Sequence, residues 1–158
     1  MNATCTHALT VRQPWATAIL EGPKRIENRS WICPGPFPRW IAIHASMTAE
    51  DHAEEIVANW RGASRWPDAQ TGAWPGAPMW TAYTDCPYRR GVLLGAAEVL
   101  GVGEIHETPD PWAVGPRCWV LGRVCALPAP ISAKGRLGLW RLAPHERDAV
   151  ESSIHEVL

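Results

Sequence analysis

Apolar residues alternate along "RWIAIHAS", with Ile41, Ile43 and Ala45 on one side and Ala42, His44 and Ser46 on the other. A period of two is a strand signal that no helix satisfies. "RGVLLGAAEVLGV" (90–102) reads as a long strand with a bulge at Gly95, and "RCWVLGRVCAL" (117–127) as another. "HALTVRQPW" opens with a short strand that ends near Arg12, with Leu9 and Val11 on one face. In "RIENRSWI" a regular strand sets Arg25, Glu27, Arg29 and Trp31 on one face. "PAPISAKGRLGLWRL" (128–142) reads as a turn and a closing strand. Helices are expected over "QPWATAILEG", with Pro14 in its first turn and Gly22 as its C′ residue, and over "TAEDHAEEIVANW", with Thr48 as N-cap. A third is expected over "PHERDAVESSIHEVL". About five to seven strands on non-helical links, with flanking helices, predict an α+β fold built on a small β-barrel or curled sheet.

The 158 residues form one domain on this reading, residues 1–158. Within it, 61–90 has no periodicity and is rich in Trp, Pro and Gly, with Trp66, Trp74 and Trp80. A loop of that length is functional or disordered. "CPGPFP" and "GEIHETPDPWAVGP" are irregular, and there is no internal repeat or coiled coil.

Several classes find no support. No run of about 18 apolar residues exists, so no membrane span is expected. "MNATCTHALTVRQPW" lacks the basic-then-apolar order of a signal peptide, which with the odd cysteine count leads us to expect a cytoplasmic protein with reduced thiols. Cys5, Cys33, Cys86, Cys118 and Cys125 contain no CxxC pair, and the six histidines have no ligand spacing, so neither a metal nor a cofactor is expected. Dinucleotide, P-loop and hydrolase-elbow motifs are absent.

The net charge of −1 hides an asymmetry. Residues 1–47 carry five basic and two acidic groups, 61–90 carry four Arg against two Asp, and the acids gather at 48–60 and after Pro144. That is a modest footprint for a polyanion. Ten Trp against one Phe supplies indoles both to fill the core and to face a ligand. Those of the 61–90 loop either pin it to the barrel or stack on bases beside Arg61, Arg65, Arg89 and Arg90.

"GPKRIENRSW" holds one of only two lysines in a chain of 13 Arg. Lys24 and Glu27 read in two ways. As a surface pair they contribute under about 1 kcal/mol, and Lys24→Ala hardly alters stability. As a site, Glu27 accepts from an exocyclic amine of a base, or Lys24 acts as a general base. Arg12 and Arg29 either contact phosphate or pair with Glu27. His44 is a core group or a catalyst. Trp15 and Trp140 are most simply core residues.

In combination, "LTVRQPWATAILEGPKRIENRSW", "RWIAIHAS", "GVLLGAAEVL" and "ISAKGRLGLWRL" resemble, in order and over most of the chain, the ASCH domain (activating signal cointegrator homology) of the PUA-like group. The transcription-coactivator branch is similar in the same segments. The resemblance implies a β-barrel with a cleft over the G-x-K-x-x-E loop and a role on RNA, single-stranded DNA or a modified nucleoside. It implies that Gly22, Lys24, Glu27 and Arg29 line the cleft, with His44–Ser46 as its floor. Along the matched segments the ligand-binding candidates are Arg12, Gln13, Trp15, Gly22, Lys24, Glu27, Arg29, Trp31, Arg39, His44 and Ser46. Relatives that hydrolyse N4-acetylcytidine carry a Thr where this chain has Glu27, so a covalent route through that position is closed. Trp40 stands where relatives often have Gly, which would narrow the approach, and the 61–90 segment is absent from those enzymes. The reading is a nucleic-acid or modified-nucleoside binding module. Its alternative is a hydrolase, an amidohydrolase on an N-acylated nucleoside or a ribonuclease, using Lys24 and Glu27. A protein partner is the third possibility.

Overall fold

A computed structural model of the chain describes residues 3–22, 24–51 and 88–158. The elements run β1 (His7–Gln13), α1 (Trp15–Leu20), β2 (Ile26–Arg29), β3 (Arg39–Ala49), β4 (Val92–Glu104), a 3-10 turn (Ile105–Glu107), β5 (Arg117–Ser132), β6 (Leu139–Arg141) and α2 (Pro144–His155). The strands form one mixed sheet in the order β2-β5-β4-β3-β1-β6, parallel only at β1–β3. The fold is α+β.

The period-two pattern divides the core between the two faces of the sheet. Ile41 and Ile43 join Leu9, Val11, Val99 and Trp119 beneath α1, whose Ala16, Ile19 and Leu20 are buried against them. Trp40 and Ala42 point the other way, to Leu93, Trp140, Leu142 and the α2 residues Val150 and Ile154. Burying a large aliphatic side chain stabilises by about 1.5–3 kcal/mol, so each face has its own driving force. Between Leu93 and Gly95, β4 carries one extra residue against β3, the expected bulge, while against β5 the extra residues lie on β5 between Ala126 and Ile131.

Several boundaries differ from the sequence reading. β2 ends at Arg29, so Trp31 lies outside the strand. β3 continues to Ala49, which makes Thr48 a strand residue whose amide donates to Ser46 Oγ at 3.1 Å. The expected helix at 48–60 lies, from 52 on, outside the described residues, as does most of the 61–90 loop. "PAPIS" is the end of β5, paired through Ile131 and Ser132 with Leu93 and Val92, and no turn forms there.

The sheet is not closed into a barrel. Among the described residues no ladder joins β2 to β1 or β6. β2 is only four residues long, and β6 pairs with β1 only from His7 to Leu9. The Thr10 carbonyl beyond that point is met by a side chain, the Arg29 guanidinium, at 2.8 Å. The opening between β1 and β2 is therefore where the cleft forms.

Candidate nucleotide-binding cleft

The turn that delivers Lys24 to β2 is fixed from both sides. Arg25 NH1 donates to the carbonyls of Ile19, in the last turn of α1, and of Gly22 and Lys24 in the turn beyond it, each at 3.0 Å. The Lys24 amide donates to Ala18 O at 3.2 Å, and Arg25 O accepts from Leu121 N at 2.8 Å. Lys24 emerges with only 3 % of its surface exposed, and Glu27 with 6 %. The pair is buried, which corrects the surface-pair reading. Breaking a buried pair leaves a charge uncompensated at a cost of several kcal/mol.

Lys24 Nζ donates to Glu27 Oε2 at 3.0 Å and to the Ile26 carbonyl. Arg29 Nε donates to Glu27 Oε1 at 2.9 Å. One carboxylate thus sits between two cations, a net positive floor. Above it Trp112 places its ring centroid 5.9 Å from Lys24 Nζ, within cation–π range. Trp15, the first residue of α1, meets Trp112 edge to face at 5.9 Å and 86°. These groups bound a cleft of about 670 Å³ that is also lined by Thr10, Val11, Arg12, Asn28, Ser46, Glu50, Pro111 and Val114. Arg12, at the rim, lies 3.9 Å from Glu50 and is largely exposed.

Six of the candidates therefore share one cleft: Arg12, Trp15, Lys24, Glu27, Arg29 and Ser46. Five do not line it. The Gln13 amide is fully buried and structural, with Oε1 accepting from Thr17 N in the first turn of α1 and Nε2 donating to Arg89 O. Gly22 contributes its carbonyl to Arg25. Trp31 packs edge-on against Trp119, 4.8 Å away, and accepts the Trp119 Nε1 proton on its carbonyl. Arg39 donates to Pro34 O at the far end of β3.

His44 is a core group. Its Nε2 lies 2.7 Å from Ala133 O, which can only accept, so Nε2 carries the proton and Nδ1 accepts from the Thr10 hydroxyl at 3.3 Å. Trp140 Nε1 in turn donates to Thr10 Oγ1 at 3.0 Å. Of the expected floor His44–Ser46, only Ser46 reaches the cleft. Trp40 does not narrow it either: that indole is buried on the α2 face, 5.7 Å from the Arg123 guanidinium.

The sequence reading missed Asn28 and Trp112. Asn28 lies inside the motif, where its charged neighbours carry the stronger signal. Trp112 sits in an irregular stretch, where the P-D-P-W turn signal was the available cue.

Other chemistry is poorly supplied. Burial pushes the Cys5 thiol up to about 12 and raises Cys33 and Cys125, the opposite of an activated nucleophile. Among the described residues no group of three or more His, Cys, Asp or Glu gathers for a metal, and no helix is long and apolar enough to cross a membrane.

Comparison with known proteins finds relatives of the sequence. Over 53 residues, 34% of this chain, the sequence is 40% identical to Activating signal cointegrator 1 of Homo sapiens and 36% identical to that of Mus musculus. The matched region spans only 9% of those relatives' length. The sequence model of the ASCH domain matches residues 9–114, two thirds of the chain and all of the elements that build the cleft floor, so the chain belongs to the ASCH domain family.

Proposed function

We propose that the chain is a binding module that takes one base of RNA or single-stranded DNA, or a free modified nucleoside, into the cleft between β1 and β2. The observation that carries the reading is the Glu27 carboxylate held between Lys24 and Arg29 beside the Trp112 indole. A carboxylate offers about four acceptor positions. Two are used, by Lys24 and Arg29, so Glu27 can still accept from a ligand. Lys24 and Arg29 each retain unused N–H groups.

A ligand edge that meets this floor must donate and accept side by side. A phosphate only accepts, and would face the Glu27 carboxylate. An amine only donates, and would face two cations. An exocyclic amine beside a ring nitrogen does both, and a carboxylate accepting from cytosine N4 is a known readout pairing. The indoles offer a stacking surface, and the volume falls within the usual 300–1,000 Å³ or so of small-molecule sites. On this reading the exposed Arg12 meets a flanking phosphate. The family's association with RNA supports the polymer form of the ligand.

The rival reading is hydrolysis, in which Lys24 Nζ, with two N–H groups held by Ile26 and Glu27, would turn its remaining position to a water as a general base. The test is a panel of the four ribonucleosides, N4-acetylcytidine and short single-stranded RNA and DNA, followed by calorimetry for binding and chromatography for turnover. Binding without turnover, weakened in Glu27→Gln, is the expected result. Turnover of any probe makes the protein an enzyme. No binding to any probe at low salt overturns the reading.

A further inference from the structure

Asn28 lies between Glu27 and Arg29 on β2, yet its bonds go to another part of the chain. Its Nδ2 donates to the Trp112 carbonyl at 2.9 Å, and its Oδ1 accepts from the amides of Val114 and Gly115, both at 3.0 Å. The partners lie 84 to 87 residues away in sequence. They also fix the amide's orientation, because a carbonyl can only accept and an N–H can only donate. The segment Thr108–Pro116 is irregular. It folds on itself through Trp112 N to Asp110 Oδ1 at 2.8 Å and Ala113 N to Asp110 O at 3.0 Å. Pro111, Trp112 and Val114 form one wall of the cleft. A four-residue strand thus carries the cleft floor on Glu27 and Arg29 and the anchor of the facing wall on Asn28.

We infer that Asn28 is a positioning residue of the cleft: its carboxamide holds the wall that bears Trp112 at a fixed gap from the Lys24–Glu27–Arg29 floor, and so sets how tightly a planar base is gripped. The inference rests on the nucleotide reading above. Asn28 acts through Trp112, so the two residues form one functional unit. The residue type is demanding. Aspartate keeps the acceptor for Val114 and Gly115 but loses the donor to Trp112 O. Serine is too short to bridge all three groups, and alanine offers none.

The test is a double-mutant cycle with cytidine 5′-monophosphate as probe, joined to amide exchange on the ligand-free protein. Trp112→Ala should weaken binding about five- to a hundredfold, the range for loss of one base–aromatic stack. Asn28→Ala should weaken it several-fold alone and by no more than about twofold when Trp112 is already Ala, because coupled residues are not additive. In exchange, Asn28→Ala should speed the Val114 and Gly115 amides, while Asn28→Asp keeps them slow and still loses affinity. If the Asn28 and Trp112 effects multiply, or if Asn28→Ala leaves affinity unchanged, the inference is overturned. Failure of the nucleotide reading is seen separately: Glu27→Gln then binds the probe as well as the parent does, or the parent does not bind it at all.

Discussion

Arg29 NH2 donates to the backbone carbonyl of Thr10 at 2.8 Å, across the one gap where β2 and β1 share no ladder. The same guanidinium donates through Nε to Glu27. Arg29 therefore does with a side chain what a strand pair does elsewhere in the sheet, and it leaves a cleft in place of a seam. Thr10 completes the link on its other side, where its hydroxyl meets His44 and Trp140 in the α2-side core. Floor and core share one residue.

The buried charges make a first prediction. Lys24→Met removes one cation from Glu27 and leaves the Ile26 carbonyl without this donor. Arg29 still holds Glu27, so the loss should fall near the low end for a broken buried pair, about 2–3 kcal/mol. Adding Glu27→Gln takes the carboxylate from Arg29, so the double variant should be less stable than Lys24→Met, yet by less than the two single losses added, because both singles remove the same Lys24–Glu27 contact. Urea unfolding of the single and double variants measures both. Additive losses, or a Lys24→Met variant as stable as the parent, contradict this account. Ligand binding is expected to be lost in both.

A second prediction separates rim from floor. If Arg12 lies against phosphate and Glu27 reads a base, the two contribute differently to salt dependence. Binding of single-stranded RNA should weaken with salt as if about two to four phosphates were contacted. Arg12→Ala should lower that slope by about one contact. Glu27→Gln should lower affinity at every salt concentration and leave the slope unchanged. A slope altered by Glu27→Gln and not by Arg12→Ala reverses the assignment.

A third prediction concerns the bulge in β4. A Cβ built on Gly95 would lie 2.1 Å from the Cys125 carbonyl oxygen and 2.9 Å from Ala126 Cα. Both are backbone atoms of the neighbouring strand, so nothing nearby can rotate aside. Gly95→Ala should cost about 3 kcal/mol through strand displacement. Gly101, with open space around it, is the control and should tolerate alanine far better. Thermal unfolding of the two variants decides it.

Local periodicity carried most of the fold. Ile41, Ile43 and Ala45 announce one face and Ala42 and His44 the other, because strand geometry acts residue by residue and both faces are covered. Closure was not legible. Whether β2 reaches β1 depends on where β2 stops, and it stops at Arg29, whose side chain and not its backbone meets Thr10. The site divides in the same way. Lys24, Glu27 and Arg29 stand within six positions, so the motif delivers them together. Trp112 reaches the floor only through the Asn28 bridge, a pairing 84 residues apart that no spacing rule exposes. Trp31 fails for a related reason. Alternation predicts its side only while the strand lasts, and the strand ends two residues earlier.

The last prediction is a pH dependence with its origin in the burial of His44. Burial holds the His44 pKa below the ordinary histidine value, a shift that its bond to Ala133 and the field of Glu146 only partly oppose. His7 is lowered as well, by burial and then by Arg39 and Arg141. An unfolded histidine takes up its proton near pH 6.5, while the folded ring resists until lower pH. Between those two values the unfolded state holds more protons, so stability is complete above about pH 6.5 and falls as the pH drops toward the folded value. Each group contributes a slope of at most about 1.4 kcal/mol per pH unit. Denaturant titrations from pH 8 to pH 5 stay above the range in which Glu98, held low by its bond to Arg123, takes up a proton. His44→Asn should be less stable at pH 8, since Thr10 and Ala133 lose their partner, yet its stability should fall less steeply between pH 6.5 and pH 5. His7→Asn should remove the remaining histidine share of the slope. A His44→Asn variant that loses stability over this interval as steeply as the parent would show that burial does not hold the His44 ring in its neutral form.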